Sequence, residues 1–313
     1  MLIKVENLVK RYGDHLALDH LNLEVKEGEI LGLLGPNGSG KTTAIHCILS
    51  LLTYDKGQIE IFGQPMRPNA YDIKRQIGIV FQQVAVFSEL TVQENIHYFC
   101  SLYIKDKALC KQYVQEAMRF VELEEYANFL PAKLSGGLLR RLNIACGIAH
   151  HPRLIFMDEP TVAVDPQSRN AILQGIRQLN EQGATIIYTS HYMEEVEQLC
   201  SRIIILDHGQ VAAVGSKEAL KEMITLKQKV SIDQITLTPY QQANIQKLPH
   251  VYALDYAHER LEIKYNSQEH CLVTLLDYLE ANHITYGRVY TEMPTLNDVF
   301  LEMTGRELRD DHA

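Results

Sequence analysis

The sequence lacks any long apolar run, because charged residues interrupt every hydrophobic stretch within about a dozen residues. A helix that crosses a bilayer needs roughly 20 consecutive apolar residues, so no membrane span is expected. The start of the chain also lacks a basic segment followed by an apolar one, so no secretory signal is expected. These absences predict a protein that stays in the cytoplasm unless a partner holds it at a membrane.

Cysteine is sparse and unpaired in sequence. The six cysteines are scattered and form no C-x-x-C pair. They are Cys47, Cys100, Cys110, Cys146, Cys200 and Cys271. The spacing is typical of reduced thiols in a cytosolic protein and argues against a disulfide framework or a zinc site.

The chain is acidic overall, with fewer basic than acidic residues. The chain has 30 Lys and Arg against 39 Asp and Glu, a net charge of −9. A general nucleic-acid binder normally shows a basic footprint, so nucleic acid is not expected as a partner. No segment repeats at a fixed period, which argues against a repeat architecture.

A glycine-rich segment at residues 35–42 is the most informative feature present. It fits the pattern G-x-x-x-x-G-K-[ST] of phosphate-binding loops. Its residues are Gly35, Pro36, Asn37, Gly38, Ser39, Gly40, Lys41 and Thr42. The apolar run 30–34 before it predicts a buried strand, and the segment from Thr43 predicts a helix.

Strand, loop and helix in this order suit a nucleoside triphosphate. The loop's N–H groups and the helix N-terminus attract phosphate oxygens. Lys41 is expected to reach the β- and γ-phosphates, the Thr42 hydroxyl to bind Mg²⁺, and Thr43 to join the nucleotide contacts. The segment therefore predicts binding of ATP or GTP, although this loop occurs in many unrelated activities.

The length of 313 residues suggests about two domains. Up to residue 217, strands alternate with helices, which predicts a mostly parallel sheet covered on both faces. Segments 2–7 and 19–25 alternate as antiparallel edge strands, and a helical insert is expected at about 85–150. Thr91 followed by Glu94 predicts a capping box where that helical pattern begins.

A second unit is expected after a linker at 218–227. Residues 228–305 read strand, helix, strand, strand, helix, strand, and then a closing helix. This succession predicts a small ferredoxin-like α+β domain. Residues 306–313 are expected to be a polar tail.

Two adjacent carboxylates, Asp158 and Glu159, end an aliphatic strand. A carboxylate there can hold Mg²⁺ beside the phosphates, and its neighbour can polarise an attacking water. Acidic residues at a strand end are common, so the pair alone does not decide the function.

The surrounding motifs decide it. Residues 134–137, read Leu-Ser-Gly-Gly, lie upstream of these carboxylates, and His191 follows the next apolar strand. With the phosphate loop, this ordered set resembles the ATP-binding cassette (ABC) family over residues 1–217. The resemblance implies an α/β P-loop NTPase fold: a RecA-like, mostly parallel sheet, an antiparallel β subdomain and a helical insert.

The resemblance also implies the hydrolytic residues and the cofactors ATP and Mg²⁺. Glu159 matches the family's catalytic glutamate, and His191 matches its switch histidine, which contacts the γ-phosphate. Gln82 matches the glutamine that contacts Mg²⁺ and the lytic water and borders the transmembrane partner. Asp158 is the aspartate on the Mg²⁺ side, which together with Thr42 and Gln82 makes the expected metal set.

Further matches concern the nucleotide and a second copy of the chain. Tyr12 falls where the family stacks an aromatic ring on adenine. Ser135, Gly136 and Gly137 match the signature that binds the γ-phosphate held by the opposite subunit. Asp165 lies in the loop that crosses the dimer interface. The resemblance thus implies a head-to-tail homodimer that encloses two ATP molecules.

The chain departs from the family pattern at a few positions. Leu138 stands where many relatives carry Gln or Met, and Leu139 replaces a polar residue. Ala163 and Val164 before Asp165 are a milder change. Because Ser135 and the glycines remain, activity is expected to survive.

Segments 158–169 and 294–306 resemble the ATPases of drug- and antibiotic-resistance exporters, including the daunorubicin, linearmycin and sodium-efflux types. This implies an ATP-hydrolysing subunit that works with separate multi-span permease chains at the inner face of the cell membrane, without inserting into it. The cargo would be a drug, an antibiotic, a lipid or an ion.

Two other functions stay open at this point. The chain could be a soluble cassette ATPase that acts on ribosomes or DNA, although it has neither two cassettes nor zinc cysteines. It could also bind ATP without hydrolysing it, although Lys41, Asp158, Glu159 and His191 are all present.

Several single residues also have plainer interpretations. Tyr12 can be an ordinary surface aromatic, and His191 a solvated loop residue. The pair at 150–151, two histidines before a proline, is expected to end a helix rather than bind metal. The apolar clusters at 81–87 and 98–103 are either core or a groove for a partner's cytoplasmic helix.

Overall fold

A computed structural model describes residues 1–305 of the chain. The contacts divide it into two compact units, the first comprising Met1–Ser216 and the second beginning at Lys217. Each unit is described separately. The predicted polar tail at 306–313 lies outside the described residues.

The first unit contains ten strands and seven α-helices. The strands are β1 (Ile3–Tyr12), β2 (His15–Val25), β3 (Ile30–Leu34), β4 (Lys56–Ile61), β5 (Gln64–Pro65), β6 (Ile77–Val80), β7 (Leu154–Asp158), β8 (Thr185–Thr189), β9 (Arg202–Asp207) and β10 (Gln210–Gly215). The helices are α1 (Lys41–Ile48), α2 (Tyr71–Lys74), α3 (Val92–Ser101), α4 (Lys107–Phe120), α5 (Gly136–Ile148), α6 (Pro166–Glu181) and α7 (Met193–Leu199).

A six-stranded sheet forms the centre of this unit, in the order β10-β9-β3-β8-β7-β6. The strands from β9 to β6 run parallel, and β10 pairs antiparallel with β9. All five residues of β3 are buried, as are those of β8, which fits strands covered on both faces. The predicted mostly parallel α/β core is confirmed.

A second, antiparallel sheet has the order β2-β1-β4-β5. Its first two strands are longer than the predicted segments 2–7 and 19–25. The β1–β2 register shifts between Val5 and Leu8 and again between Leu8 and Lys10. A bulge changes which side chains of a strand face the core. The alternation of apolar and polar residues therefore breaks within the strands, and the segments predicted from it are too short.

The helical insert begins with the predicted capping box. The Thr91 hydroxyl accepts from the Glu94 N–H, and the Glu94 carboxylate accepts from the Thr91 N–H. The helical pattern after it is not one continuous helix. It breaks after Ser101, and Asp106 begins α4 by accepting two backbone N–H groups.

The second unit contains four strands and four helices among the described residues. They are α8 (Lys217–Met223), β11 (Gln228–Asp233), α9 (Pro239–Ile245), β12 (Val251–Ala257), β13 (Arg260–Tyr265), α10 (Cys271–Ala281), β14 (Val289–Glu292) and α11 (Leu296–Thr304). The sheet has the order β12-β13-β11-β14, and all its neighbours are antiparallel.

The stretch 218–227, expected to be a linker, carries α8 and belongs to the second unit. The buried Leu220, Ile224 and Leu226 explain the difference, because apolar side chains in this stretch pack rather than face solvent.

Candidate active site

Four neighbouring strands deliver the phosphate loop and the predicted catalytic and metal-binding residues to one edge of the central sheet. The loops that follow β3, β6, β7 and β8 begin at Gly35, Phe81, Glu159 and Ser190. Because these strands are parallel, their carboxyl ends meet at the same edge, where open α/β sheets bind ligands.

The phosphate loop turns sharply into α1. Gly40, the residue before the helix, has a φ of 102°, and a Cβ there would lie 2.7 Å from the Ala17 carbonyl oxygen. Only glycine fits this backbone and this gap. The Lys41 Nζ donates to the carbonyl oxygens of Gly35 (2.6 Å) and Pro36 (3.1 Å). The ammonium therefore lies over the loop.

The electrostatics of Lys41 combine burial and attraction. Burial lowers the pKa of Lys41, while the nearby carboxylates of Glu159 and Asp158 raise it. The same loop buries the Ser39 hydroxyl oxygen, which has no hydrogen-bond partner within residues 1–305.

Glu159 brings the three predicted catalytic residues together. Its Oε2 lies 3.2 Å from Nδ1 of His191, and the Gln82 Nε2 donates to the same oxygen at 3.4 Å. The Glu159 side chain is 20% exposed and that of His191 is 28% exposed, so both are accessible to solvent although most of each side chain is buried.

The backbone at Glu159 is strained. Its φ of 47° is in the left-handed region, which is uncommon for a residue other than glycine. The Glu159 N–H donates to the Thr189 hydroxyl (3.0 Å) and the Thr189 carbonyl (3.2 Å), which holds this conformation. The Thr189 hydroxyl in turn donates to Oδ1 of Asp158 at 2.5 Å. The neighbouring strand β8 therefore orients both carboxylates.

The Ser135 segment begins α5. Ser135 is exposed, and its hydroxyl accepts from the Leu138 N–H at 3.3 Å. A Cβ on Gly137 would lie 2.8 Å from the Ser168 Oγ and 3.1 Å from an Asp165 carboxylate oxygen. A side chain on Gly137 would therefore crowd the start of α6, and the neighbours of Gly137 are in that turn rather than in the loop 35–42.

Asp165 acts locally as a helix cap. Its carboxylate accepts from the Ser168 N–H at 2.9 Å, which lowers the pKa of Asp165. The cap at Ser135 uses the backbone of Leu138, so the departure from the family pattern at that side chain leaves the cap intact.

Tyr12 lies at the end of the β1–β2 hairpin with 49% of its surface exposed. The Lys10 Nζ stands 5.2 Å from the centre of its ring. The ring is therefore available to stack on a planar group.

A residue that no sequence motif indicated joins these loops. Arg140 on α5 is buried, and its guanidinium hydrogen-bonds to carbonyls after β6 and at the end of β7. Asn143, one turn later, binds Phe81 and Ala85. The sequence does carry a signal for them. Arg140 and Asn143 are polar residues on a face of α5 that otherwise carries Gly137 and Ile144, and polar residues on such a face indicate a buried hydrogen-bond network.

A second missed residue is Glu195 on α7. It is 3% exposed, and one carboxylate oxygen accepts from three hydroxyl groups. These are Thr161 (2.9 Å), Tyr188 (2.6 Å) and Ser190 (2.8 Å). Its other oxygen lies 3.5 Å from Nε of Arg169. Glu195 therefore ties the segments that follow Glu159 and precede His191.

The histidine pair ends a helix region, as predicted. Helix α5 ends at Ile148, and His150 is buried with Nε2 3.1 Å from the Ile77 carbonyl oxygen and its ring stacked on Tyr103. Within residues 1–305, no group of three His, Cys, Asp or Glu is arranged to hold a metal ion.

The apolar clusters expected to be core or groove are partly exposed. Phe87 and Tyr98 are 41% and 42% exposed, and their rings meet edge to face with centres 4.8 Å apart. Asn95 is buried beneath them and binds both the N–H and the carbonyl of Phe87. The aromatic face formed by Phe87, Tyr98 and Phe99 is therefore a built surface.

None of the helices described between residues 1 and 305 combines the length and apolar character needed to cross a bilayer.

Comparison with known proteins identifies the family. The family model described as "ABC transporter" matches residues 18–162. The chain is 38% identical to the linearmycin resistance ATP-binding protein LnrL of Bacillus subtilis, over 99% of this chain and 100% of that protein. It is 34% identical to the Nod factor export ATP-binding protein I of Cupriavidus metallidurans, over 99% of each chain.

A solved structure shows the same fold. The dimeric, post-hydrolysis state of the ATP-binding cassette MJ0796 bound to ADP and Pi has a TM-score of 0.63 and 30% identity, covering 69% of this chain and 98% of that one. The fold, the position of the candidate site at one edge of the central sheet and the full-length similarity all indicate the same family. The chain therefore belongs to the ATP-binding cassette family and is an ABC transporter ATPase.

Proposed function

We propose that this ATPase is the energy-supplying subunit of an exporter, which moves a drug, an antibiotic, a lipid or an ion out of the cell through separate permease chains. The observation that carries this proposal is the similarity to a linearmycin resistance ATP-binding protein over the whole length, including the second unit. A relationship limited to the cassette would support only ATP hydrolysis, because many systems share that module.

The site supports hydrolysis with Glu159 as general base. In this proposal Glu159 accepts a proton from the attacking water, and Gln82 and His191, which share its Oε2, orient that water and the γ-phosphate. Lys41 and the N–H groups of 35–43 bind the phosphates, and Tyr12 stacks on adenine. Because Gln82 and His191 both contact the Glu159 carboxylate, the orientation of this proton acceptor is set before the nucleotide binds.

The residues present fit Mg²⁺ as a cofactor. The oxygens of Thr42, Gln82 and Asp158 are hard ligands of the kind that Mg²⁺ uses beside phosphates. Thr189 occupies only one Asp158 oxygen, so the other stays available as a ligand. When bound, Mg²⁺ neutralises charge on the β- and γ-phosphates.

A second copy is proposed to complete the site. Ser135 and Gly136 are exposed at the N-terminus of α5, a helix of 13 residues, where the helix dipole favours an anion. In the proposed dimer, Ser135, Gly136 and Gly137 meet the γ-phosphate of the opposite copy and Asp165 crosses the interface. The dimeric form of the related cassette MJ0796 supports this arrangement.

The permease is proposed to dock on the aromatic face. Phe87 and Tyr98 offer exposed rings, with the half-buried Phe99 against them; Phe87 lies on the loop after β6 that also carries Gln82, and the other two rings lie on α3. Such a surface suits an amphipathic helix, and its location lets docking alter the position of Gln82. The second unit, from residue 217, is proposed to be an accessory domain.

The experiment is a transport assay in a strain that lacks this chain. The chain, or the E159Q variant, is restored from a plasmid, and tolerance to linearmycin, other antibiotics and sodium is measured. We expect the wild-type chain, and not E159Q, to restore tolerance to one class of compound and to reduce its cellular content. If the two strains match in every tolerance and the chain sediments with ribosomes, the soluble alternative is the better description.

A further inference from the structure

The most complete polar cluster outside the predicted set surrounds Arg140. This side chain is 3% exposed, yet all five of its N–H groups have carbonyl acceptors. The acceptors are the oxygens of Phe81 (2.9 Å), Gln82 (2.7 Å), Asp158 (3.1 Å), Glu159 (2.6 Å) and Pro160 (2.8 Å).

These carbonyls belong to two separate segments. Phe81 and Gln82 follow β6, while residues 158–160 lie at and just beyond the end of β7. The two strands are paired in the sheet, but beyond Val80 and Met157 the ladder ends. Beyond that point the β6 and β7 segments no longer pair with each other, although Asp158 still pairs with Thr189 of β8, and a buried carbonyl without a donor costs stability. One planar guanidinium replaces the missing ladder across both segments.

The chemistry requires an arginine. A guanidinium presents five donors in a fixed fork, whereas a lysine ammonium presents three donors around one point. Burial lowers the pKa of Arg140, and the neighbouring carboxylates of Asp158 and Glu159 raise it, so the cation is compensated by charges on the segments that it holds.

We propose that Arg140 is a positioning residue for hydrolysis, which fixes the Gln82 backbone and the Glu159 backbone at one separation so that their side chains share one water site. The hydrogen bond between the Gln82 Nε2 and the Glu159 Oε2, at 3.4 Å, is the feature that it sets. This inference rests on the proposed role of Glu159 as the base. Backbone carbonyls accept from every N–H group of the Arg140 guanidinium, so its effect on the reaction is through the segments that it holds.

A positioning role predicts a specific kinetic signature. The R140Q variant should lose kcat by about 100-fold, the cost expected of a misplacement near 1 Å, while KM for ATP stays close to the wild-type value. R140K, with its charge but fewer donors, should fall between R140Q and wild type. The matched control is R141Q: Arg141 is the next residue on α5, is also largely buried, and pairs with Glu122 instead.

The experiment measures steady-state ATP hydrolysis of the full-length chain, binding of a fluorescent ATP analogue, and thermal unfolding. A double-mutant cycle combines R140Q with E159Q. If Arg140 acts through Glu159, adding R140Q to E159Q lowers the remaining rate little, because residues that act as a unit are not additive. A purely structural role would multiply the two losses. Guanidinium chloride at low concentration should partly restore kcat in R140A, and urea should not.

Several results would overturn the inference. One is a wild-type kcat in folded R140Q or R140K. Another is a loss of kcat in R141Q equal to that in R140Q. The third is a double variant whose loss of kcat equals the product of the two single losses. If R140Q does not fold, R140K carries the same kcat test. A wild-type rate in E159Q alone would instead overturn the proposed base, so the two failures are distinguishable.

Discussion

His191 and Glu159, 32 residues apart in the chain, are joined by a contact of 3.2 Å between Nδ1 and Oε2. They lie at the ends of the paired strands β7 and β8, where Asp158 is the register partner of Thr189. The contact follows from that register, because Glu159 is the first residue after β7 and His191 is the second after β8, and the two strand ends lie side by side. A slip of either strand would separate them.

The first prediction concerns this carboxylate. E159Q keeps the shape of the side chain but cannot accept a proton, so kcat should fall by about 100-fold or more. ATP should remain bound, and the chain should then accumulate as a dimer in light scattering with ATP and Mg²⁺. The matched control is E194Q, because Glu194 is an exposed carboxylate on α7. Unchanged turnover in E159Q would refute the assigned base.

Lys41 tests the phosphate loop. K41M removes the ammonium that lies over the Gly35 and Pro36 carbonyls, so the affinity for ATP should fall by at least about tenfold, which corresponds to about 1.4 kcal/mol. Titration with a fluorescent ATP analogue measures this. K26M, at an exposed lysine of the same unit, should bind as the wild type does. Equal affinities for the two variants would place the nucleotide elsewhere.

Glu195 tests the buried network behind the site. E195Q removes the charge that three hydroxyl groups and Arg169 share, so the free energy of unfolding should fall by about 2–3 kcal/mol. For a unit of this size that lowers the Tm by roughly 5–10 °C, measured by calorimetry or circular dichroism. E194Q on the exposed side should unfold at the wild-type temperature. Identical Tm values for both variants would contradict the network's role.

His150 predicts a pH dependence of stability. Burial lowers the pKa of His150, the hydrogen bond to the Ile77 carbonyl raises it and the charge of His151 lowers it, and together these bring the pKa from 6.5 to about 4. Above pH 6.5 the ring is neutral in both states. Between pH 6.5 and about 4 the unfolded chain binds a proton that the folded chain does not, so stability falls as the pH falls, by about 3 kcal/mol at most.

Urea unfolding at pH 7, 6 and 5 measures this loss. In H150Q the loss of stability between pH 7 and 5 should be smaller than in the wild type, since the glutamine does not titrate. H97Q, at an exposed histidine on α3, should keep the wild-type slope. A steeper or equal slope in H150Q would show that His150 is not the responsible group.

The aromatic face tests the permease contact. In the native host, F87S combined with Y98S should shift the chain from the membrane fraction to the supernatant, because the exposed apolar rings that a partner helix would cover are removed. Hydrolysis by the purified variant is measured alongside, to show whether the site survives. H97Q serves as the control, because His97 is the neighbour of Tyr98 on α3. Unaltered membrane association of the double variant would place the permease elsewhere.

The sequence by itself determined the motifs and the order of the elements. The phosphate loop can be recognised from sequence because its motif is contiguous and leads directly into α1, and the capping box at Thr91 and Glu94 spans one turn. Apolar runs such as 30–34 can be covered only inside a parallel sheet, so the α/β core was also predictable.

The tertiary structure alone decided how these motifs are joined. The bulges in β1, the break between α3 and α4 and the helix at Lys217–Met223 depend on packing that periodicity does not express. Arg140 is the clearest case: its acceptors lie 18 to 59 residues away in the chain, on strand ends that only sheet pairing brings together. A local pattern records which residues are polar, but whether a buried cation finds five carbonyls is settled by the fold.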